Sequence, residues 1–334
     1  MVNVAVIGAR GYLGRECVRI LLAHPQVASI TPVSNTEAGK AYGDLVPGFR
    51  GRPLTFAPSN DPKVAAADVL FLATDAEEAK KAVAAAKDGQ LVIDLSRAHR
   101  HQGFEAGSQW VYGQPELLPV AKGAKRIANP GCYPTATMLA AAPALAAGLV
   151  ADGVLISDGI SGVSGAGATP RGDLHFPEAN EAVRAYKVLG HDHLAEIRLA
   201  AAAVEHKAGS RTAAQAPRAV RFTPHLAPFN RGLLATVYLP LKSGVTAEQV
   251  KAAYAAHYAN TPFVHVVAEA DTANVRGSNR AEVAVDVDLD AGLIVARCAI
   301  DNLIKGGSGN AVQNMNRALG LAEGAGLPTL GGGP

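Results

Sequence analysis

The sequence predicts an α/β protein in which a Rossmann-type domain with a parallel sheet is joined to an α+β domain with a mainly antiparallel sheet. Strand-like apolar runs alternate with helical patterns from residue 2 to residue 129, which is typical of a parallel sheet covered by helices. The glycine-rich stretch GARGYLG follows the first of these runs and opens a helical pattern. After about residue 150, strand-like runs succeed one another across turns, which favours antiparallel pairing.

The composition narrows the class of protein. A chain of 334 residues is long enough for two domains of roughly 100–200 residues each, and 49% hydrophobic residues supply two cores. A net charge of +2 without a long basic run argues against a nucleic-acid partner, so we expect small-molecule ligands. The longest apolar run, residues 136–151, is interrupted by Pro143 and Gly148 and is too short for a membrane helix. Because the start lacks a signal-like pattern and three cysteines are scattered, we expect a cytoplasmic protein with reduced thiols.

The elements of the first domain follow from hydrophobic runs and periodicity. Residues 2–7 suit a buried parallel strand, and a helix with one apolar face follows to about Leu22. A second helix is predicted over residues 75–87. Further strands are predicted at residues 28–34, 68–74, 91–96 and 125–129.

In the second domain the clearest element is a hairpin over residues 283–300. Val283, Val285 and Val287 alternate with alanine and aspartate, and the chain turns at residues 290–292. This alternation predicts one packed face and one solvated face for the sheet. Helices are predicted over residues 246–258 and 309–322.

The glycine-rich stretch predicts a dinucleotide-binding turn. Glycine permits a sharp bend and lets backbone amides approach a pyrophosphate, while the helix N-terminus attracts the anion. The spacing is GxxGxxG rather than GxGxxG, and a glycine turn without a ligand is the alternative. The cofactor contacts expected from this stretch are Gly8, Arg10, Gly11, Tyr12, Leu13 and Gly14.

The end of the second strand predicts which nicotinamide cofactor binds. NAD-specific folds usually place an acid there for the ribose 2′-hydroxyl. This chain has small polar residues instead, although Glu37 is close. Hydroxyl and amide groups suit a 2′-phosphate, and Arg10 and Lys40 add positive charge, so we predict NADP. The contacts expected here are Ser34, Asn35 and Thr36.

One of the three cysteines lies on a predicted turn. Gly131 permits a tight strand-to-helix turn and Pro134 suits a first helical turn, which places Cys132 at the helix N-terminus. The helix dipole favours a thiolate there, and a thiolate is a strong nucleophile toward acyl carbons. The alternative is a buried structural cysteine, which is the interpretation we give to Cys17 and Cys298.

A nucleophilic cysteine beside a nicotinamide-binding fold predicts a specific chemistry. The sulfur would take an acyl group as a thioester, and NADPH would reduce the thioester to an aldehyde. A histidine suits the proton transfer to the oxyanion near neutral pH. His191 and His193 form a close pair of histidines, two residues apart. A metal site and an ordinary surface loop are the alternatives for this pair, but no third metal ligand follows from the spacing, and we predict no metal.

Three stretches of the sequence carry groups that suit the anionic parts of an acyl phosphate substrate. Arg97 and Arg100 follow the strand at 91–96, at the sheet edge where α/β proteins bind ligands. Arg231 opens an apolar strand, and arginine binds phosphate and carboxylate groups in a bidentate manner. Ser161 begins the glycine- and serine-rich stretch SGVSGAG, whose amides are available to an anion. Solvated surface charges and an ordinary loop are the alternatives.

Motifs spread over nearly the whole chain resemble the N-acetyl-gamma-glutamyl-phosphate reductases, which are members of the aspartate-semialdehyde-dehydrogenase-like family. The most specific are IANPGCYPTA and, about 60 residues later, GHDHLAEI. The other matching stretches are VAVIGARGYLGRE, LVIDLSRAHR, VYGQPEL, SGVSGAG, FTPHLAPFNRGLLAT and DNLIKGGSGNAVQNMN.

The resemblance implies NADPH-dependent reduction of N-acetyl-glutamyl 5-phosphate to the semialdehyde, with release of phosphate, in arginine biosynthesis. The family's catalytic cysteine falls on Cys132, and its acid/base histidine falls on His191, with His193 as the rival. The arginine of the family's DLSxxxR pattern falls on Arg100 and would bind phosphate, while Arg231 would bind the substrate carboxylate. Asn314 in the last helix would approach the nicotinamide.

The resemblance also implies an organisation into domains and subunits. Residues 1–132 and 309–334 would form the NADP-binding domain, and residues 133–308 the domain for catalysis, substrate binding and oligomerisation. We expect a homodimer or a homotetramer.

The chain departs from the family pattern at two places. FLATDAEEA stands where the family often has a His-Gly pair after FLALP. Arg97-Ala98-His99 stands where the family often has an acid and a phenylalanine, in the pattern DLSADFR. Two other functions stay open. One is a reductase of carrier-protein-linked aminoadipyl phosphate in lysine biosynthesis, and the other is an NADP-sensing regulatory protein without catalysis.

Overall fold

The computed structural model describes residues 1–212 and 215–332. The chain divides into two compact units. The first contains residues 1–130 and 307–328, and the second contains residues 131–306 and the segment from Thr329 onward. Residues 333 and 334, which the sequence assigned to the cofactor domain, lie outside the described residues.

The first unit is built on a six-stranded sheet. Its strands are β1 (Val2–Ile7), β2 (Val27–Val33), β3 (Val69–Leu72), β4 (Leu91–Asp94), β5 (Val111–Tyr112) and β6 (Arg126–Ala128). Its helices are α1 (Tyr12–Leu22), α2 (Tyr42–Leu45), α3 (Pro62–Ala65), α4 (Ala76–Ala85) and, from the end of the chain, α10 (Gly309–Leu319).

All paired strands of this sheet are parallel, in the order β2-β1-β3-β4-β6-β5. The parallel sheet predicted from the sequence is therefore confirmed. Every residue of β3 and β4 is buried, as expected for strands covered on both faces. The chain order reverses between β1 and β3, and ligands of such sheets bind at this switch point, beyond the carboxyl ends of the strands.

The second unit contains a seven-stranded sheet and the longest helices. Its strands are β7 (Val154–Gly162), β8 (Arg184–Ala185), β9 (Ala219–Ala227), β10 (Leu233–Pro240), β11 (Val264–Val266), β12 (Ala281–Asp288) and β13 (Leu293–Ile300). Its α-helices are α5 (Cys132–Ala146), α6 (Phe176–Ala179), α7 (His193–Ala208), α8 (Ala247–Tyr258) and α9 (Thr272–Val275), and a π-helical turn spans Ile304–Ser308 at the boundary with the first unit.

The order of this sheet is β11-β12-β13-β10-β7-β9-β8. Four neighbouring pairs are antiparallel, and the pairs β11–β12 and β7–β9 are parallel, so the predicted mainly antiparallel sheet is confirmed. β12 and β13 form the predicted hairpin. The predicted alternation of packed and solvated faces is wrong for the first half of β12, because Ala281 to Val285 are all buried; the exposed positions begin at Asp286.

α5 is the central helix of the second unit. Residues Tyr133–Leu145 are all buried, and the helix packs against β10, β13 and α7. Pro143 lies inside the helix and has no N–H for the carbonyl group of Leu139. The hydroxyl of Tyr258, at the end of α8, donates to that carbonyl oxygen at 2.5 Å, so the polar group freed by the proline is satisfied.

Within residues 1–212 and 215–332, no helix is both long enough and apolar enough to cross a membrane.

Candidate active site

The glycine-rich stretch forms a tight turn between β1 and α1. Gly8 has a φ of +79°, and a Cβ there would lie 2.3 Å from the carbonyl oxygen of Ala73, beyond the end of β3. A Cβ at Gly14 would lie 2.3 Å from the carbonyl oxygen of Gly8. Only glycine fits at both positions, because the crowding atoms belong to the backbone.

The start of α1 is suited to the phosphates of a dinucleotide. α1 begins at Tyr12, and its N-cap Gly11 has no side chain that could accept from the first N–H groups. Tyr12 and Leu13 are half-buried, and Arg10 is exposed. A cradle that excludes side chains, combined with a helix N-terminus, fits the pyrophosphate of a nicotinamide dinucleotide.

The end of β2 is followed by a cluster of polar residues. The hydroxyls of Ser34 and Thr36 lie 3.2 Å apart, and the amide oxygen of Asn35 accepts from the N–H of Ser59 at 2.8 Å. Glu37, which the sequence analysis named only as a nearby acid, is buried. Its carboxylate pairs with Arg10 and with Lys40, the latter at 2.8 Å.

Glu37 therefore offsets part of the positive charge expected from Arg10 and Lys40. The hydrogen bond from Lys40, and then the charge of Arg10, hold the pKa of Glu37 below its ordinary value. Because both carboxylate oxygens are engaged, Glu37 differs from the acid that accepts a ribose 2′-hydroxyl in NAD-specific folds.

Asn314 lies on α10 and is fully buried within the first unit. Its Nδ2 donates to the carbonyl oxygen of Gly113 at 2.7 Å and to Oδ1 of Asn129 at 3.1 Å. Among the described residues no donor reaches its Oδ1, which is also buried. A contact of Asn314 with a nicotinamide stays a prediction.

Arg100 lies at the carboxyl edge of the parallel sheet, where the sequence placed it. Its Nε donates to the carbonyl oxygen of Asn129 at 3.1 Å, and one terminal nitrogen donates to that of Leu95 at 2.9 Å. These bonds orient a half-buried guanidinium group, while Arg97 is exposed. Phosphate binding by Arg100 stays a prediction.

Cys132 is the first residue of α5, as predicted from the flanking glycine and proline. Its N-cap Gly131 is extended, with φ −73° and ψ 161°, and Thr135 donates to the Gly131 carbonyl oxygen through both its N–H and its hydroxyl. Cys132 is half-exposed, whereas Cys17 and Cys298 are fully buried. Of the three cysteines, Cys132 is therefore the one that is accessible to solvent.

The start of α5 contacts the main chain at Gly306 and the carboxylate of Glu196. A Cβ at Gly306 would lie 2.8 Å from the Cβ of Cys132, so the main chain there lies directly against the cysteine. The N–H of Gly131 donates to Oε1 of Glu196 at 2.8 Å. Glu196 is only 2% exposed and belongs to α7. Sequence reasoning missed its role, although the acid stands three residues after His193 in GHDHLAEI.

The two histidines lie around the residue that follows the cysteine. The rings of His191 and His193 are 4.5 Å apart, and each lies about 6 Å from the ring of Tyr133: 6.0 Å for His191 and 5.9 Å for His193. Nδ1 of His191 accepts from the N–H of His193 at 3.1 Å, where α7 begins. The structure thus brings Cys132, His191 and His193 into one neighbourhood of the second unit.

Two tyrosines complete this neighbourhood. The ring of Tyr133 rests on β7 at Gly159, where a Cβ would lie 2.4 Å from the ring, and its hydroxyl donates to the carbonyl oxygen of His225 at 2.8 Å. Burial raises the pKa of Tyr133, and also raises the pKa of Tyr186 to about 12. The electrostatic interaction with Cys132 also raises the pKa of both phenols. Both phenols therefore keep their protons near neutral pH.

Ser161 and Arg231 lie at adjacent strand ends. Ser161 pairs with Leu233 across β7 and β10, is fully buried, and donates to the carbonyl oxygen of Gly162 at 3.1 Å. Arg231 precedes β10 and donates to the buried carboxylate of Asp301 at 2.9 Å. Substrate contacts of both residues stay predictions. Among the described residues, no group of three or more His, Cys, Asp or Glu side chains is arranged to hold a metal ion.

Comparison with known families agrees with this class of fold. Residues 3–122 match the family described as "Semialdehyde dehydrogenase, NAD binding domain", and residues 132–302 match "Semialdehyde dehydrogenase, dimerisation domain". Among solved structures, aspartate semialdehyde dehydrogenase II from Vibrio cholerae, complexed with ASA, has a TM-score of 0.73 at 18% identity, covering 95% of this chain and 98% of that one. The fold is therefore that of a semialdehyde dehydrogenase.

Curated relatives narrow the class further. A protein of Geobacter sulfurreducens named N-acetyl-gamma-glutamyl-phosphate reductase is 41% identical, with 99% of each chain covered. One of Ectopseudomonas mendocina with the same name is 40% identical, with 98% of each chain covered. This chain belongs to the N-acetyl-gamma-glutamyl-phosphate reductase family, whose members are oxidoreductases.

Proposed function

We propose that this protein reduces N-acetyl-L-glutamyl 5-phosphate to N-acetyl-L-glutamate 5-semialdehyde and inorganic phosphate, as a step of arginine biosynthesis, with NADPH as the reductant. The observation that carries the proposal is the half-exposed Cys132 at the start of α5, whose neighbour in the chain, Tyr133, lies about 6 Å from the rings of a histidine pair. The reaction named by relatives about 40% identical over their full length requires such a nucleophile at an acyl carbon.

The first chemical step belongs to Cys132. Its thiolate attacks the acyl carbon, the carbon–oxygen bond to the phosphoryl group breaks, and phosphate leaves with that bonding pair. The product is a thioester on Sγ. The N-terminus of α5 favours the anionic sulfur before attack, because its dipole directs partial positive charge toward the first residue.

The reduced nicotinamide supplies the hydride that converts the thioester to the oxidation level of an aldehyde. His191 holds the proton that the oxygen on the former carbonyl carbon takes up. When that carbon–sulfur bond breaks, its electron pair returns to Sγ, His191 takes back the hydroxyl proton, and the semialdehyde is released. His193 is the rival for the proton, since the two imidazole rings are only 4.5 Å apart.

Charged and polar groups hold the substrate in this proposal. Arg100 binds the phosphate, because its guanidinium is oriented at the edge where parallel sheets bind ligands. Arg231 binds the substrate carboxylate while Asp301 orients it. Ser161 contributes the polar strand end next to Arg231.

The proposed cofactor contacts come from the glycine-rich turn and from the end of β2. The pyrophosphate lies against residues 8–14, and the 2′-phosphate meets Ser34, Asn35 and Thr36, as well as Arg10. The absence of a carboxylate on residues 34–36, together with the engagement of Glu37 by two cations, supports NADP over NAD. Asn314 contacts the nicotinamide end of the cofactor in this proposal.

The proposal also covers the organisation of the protein. Residues 1–132 and 309–334 bind NADP, and residues 133–308 carry the substrate chemistry and the subunit contacts. A homodimer or a homotetramer in the cytoplasm is proposed, and the match to a dimerisation domain supports the association of subunits.

A phosphate-dependent assay in the reverse direction tests this function. Purified protein is mixed with N-acetylglutamate semialdehyde, NADP and phosphate, and NADPH is followed by its absorbance. We expect NADPH formation that requires all three reactants and exceeds the rate with NAD. A rate independent of phosphate, or turnover of carrier-linked aminoadipate semialdehyde alone, contradicts the proposal.

A further inference from the structure

A histidine outside the proposed catalytic residues lies directly beside the proposed phosphate ligand. His99 is 7% exposed, although it stands in a loop of charged residues between β4 and β5. Its Nδ1 lies 2.7 Å from Oδ2 of Asp94, the last residue of β4, which is fully buried. Because a carboxylate oxygen can only accept, Nδ1 carries the hydrogen of this bond.

Asp94 binds two points of the loop that leads to Arg100. Its Oδ1 accepts from the N–H of Ser96 at 2.8 Å, while its Oδ2 accepts from His99. The hydroxyl of Ser96 in turn accepts from the N–H of Ala98 at 3.0 Å. The residues between the strand and Arg100 are therefore fixed by one buried carboxylate.

The other contact of His99 is aromatic. Its ring stacks on Trp110 with centroids 4.0 Å apart and planes within 10° of parallel. Trp110 is 3% exposed and is the only tryptophan in the chain. A stacked imidazole with one fixed hydrogen bond has little rotational freedom, so the backbone at position 99 is held in place.

Arg100 follows His99 directly in the chain, so its backbone is held in place as well. Its side chain donates to the carbonyl oxygens of Leu95 and Asn129, which follow the neighbouring strands β4 and β6 at the carboxyl edge of the sheet. We propose that His99 is a positioning residue, whose hydrogen bond to Asp94 fixes the loop so that the guanidinium of Arg100 is pre-oriented for a phosphate group. The inference rests on the proposed function, because that function assigns phosphate to Arg100.

Two variants separate the two contacts of His99. His99→Phe keeps a ring on Trp110 and removes the bond to Asp94, and we expect the KM for inorganic phosphate in the reverse reaction to rise about tenfold while kcat changes less than about threefold. His99→Asn keeps a donor for Asp94 and removes the stack. We expect its KM for phosphate to stay near that of the wild type and its Trp110 emission to change.

Direct binding of inorganic phosphate gives a second readout. Trp110 fluorescence is titrated with phosphate at constant ionic strength in the wild type, both His99 variants and His101→Phe, whose original residue is exposed in the same loop. Saturable binding is expected in the wild type, His99→Asn and His101→Phe, with binding weakened about tenfold in His99→Phe. Thermal melting checks that each variant is folded.

The outcomes distinguish this inference from the proposed function. If the wild type catalyses the reaction and folded His99→Phe binds phosphate normally, the inference is overturned and the function stands. Equal losses in His99→Phe and His99→Asn also overturn it, because they would indicate a general packing role. If the wild type binds phosphate and His99→Phe does not, but no reductase activity is found, the positioning role stands and the function is wrong. A wild type that neither binds nor responds to phosphate refutes the inference.

Discussion

Two helices of this protein begin with the same backbone device and differ in what surrounds it. α1 follows Gly11 (φ −69°, ψ 163°), and α5 follows Gly131 (φ −73°, ψ 161°). Glycine has no side chain to cap a helix, so in both cases the partial positive charge of the N-terminus is available to another anionic group. The backbone alone does not decide which group that is.

The neighbours of each helix start make the difference. At α1 the crowding atoms are backbone atoms that exclude every Cβ at Gly8 and Gly14, which leaves room for an extended phosphate group. At α5 the first residue is itself a thiol, the next thirteen residues are buried, and the N–H of Gly131 is already bonded to Glu196. The comparison teaches that two helix starts with the same backbone conformation differ in their immediate packing, which in the proposed function suits one to a phosphate and the other to a thiolate.

The largest expected effect is on turnover, and it distinguishes Cys132 in α5 from Cys17 in α1. Cys132→Ser should lower turnover by at least ~10³-fold, because a serine hydroxyl is a far weaker nucleophile than a thiolate. NADPH binding, measured by fluorescence titration, should stay unchanged. The matched control is Cys17→Ala in α1, where burial raises the pKa of the thiol to about 12. Near-normal turnover of Cys132→Ser would end the thioester mechanism.

A second pair of variants tests whether His191 or His193 transfers the proton in the proposed reaction at Cys132. His191→Asn should lower kcat by about 10²-fold, the usual size of a lost general acid, while His193→Asn should have a smaller effect. The measurement is steady-state kinetics over a range of pH, with thermal melting as the control for folding. A reversed order of the two losses would assign the proton transfer to His193.

The proposed phosphate site at the start of α1 depends on Gly8 and Gly14. In Gly14→Ala the new Cβ would lie 2.3 Å from a carbonyl oxygen, so the turn must shift, and NADPH affinity should fall by ~10–100-fold. The rate at which iodoacetamide modifies Cys132 should be unaffected. Gly48→Ala, at an exposed position with open space, is the control. Equal cofactor affinity in both variants would contradict the proposed cradle.

A smaller effect concerns stability at the buried helix alone. Tyr258→Phe should lower the free energy of unfolding by about 1 kcal/mol, because it removes the donor to the Leu139 carbonyl oxygen. The corresponding loss should shrink when Pro143 is also replaced by Ala, since residue 143 then supplies an N–H. Denaturant unfolding of the two single variants and the double variant measures this coupling, and strict additivity would argue against it.

The smallest effect is a pH dependence near α1. Because the pKa of Glu37 is lowered by Lys40 and Arg10, its ion pairs stabilise the fold above the ordinary carboxyl pKa of 4.5. That contribution is lost as the pH falls through the lowered pKa. The difference in Tm between the wild type and Glu37→Gln should therefore be present at pH 6 and vanish at lower pH. A difference that stays constant with pH would contradict this role.

Features that depend on neighbouring residues in the chain could be predicted from the sequence. Gly131 and Pro134 place the start of α5 by local backbone rules, and the apolar runs of β3 and β4 indicate a sheet buried on both faces. In the candidate site, the same local rules and the family resemblance identify Cys132 and His191.

Features that depend on contacts between distant residues could not be predicted. Glu196 meets the N–H of Gly131 across 65 residues of sequence, and no local pattern gives that distance. The first half of β12 shows the same limit: its alternation suggested a solvated face, but Ala281 to Val285 are all buried, and the strand contacts α5 and α8, which are distant in the sequence.

The contact between Gly306 and Cys132 has a consequence for how enzymes of this kind diverge. One wall beside Cys132 is main chain, and any side chain at position 306 would collide with the Cβ of Cys132. Natural variation cannot reshape that wall by exchanging residues. Changes in substrate preference around Cys132 are therefore expected at other positions, such as those in the segment that carries Tyr186 and His191.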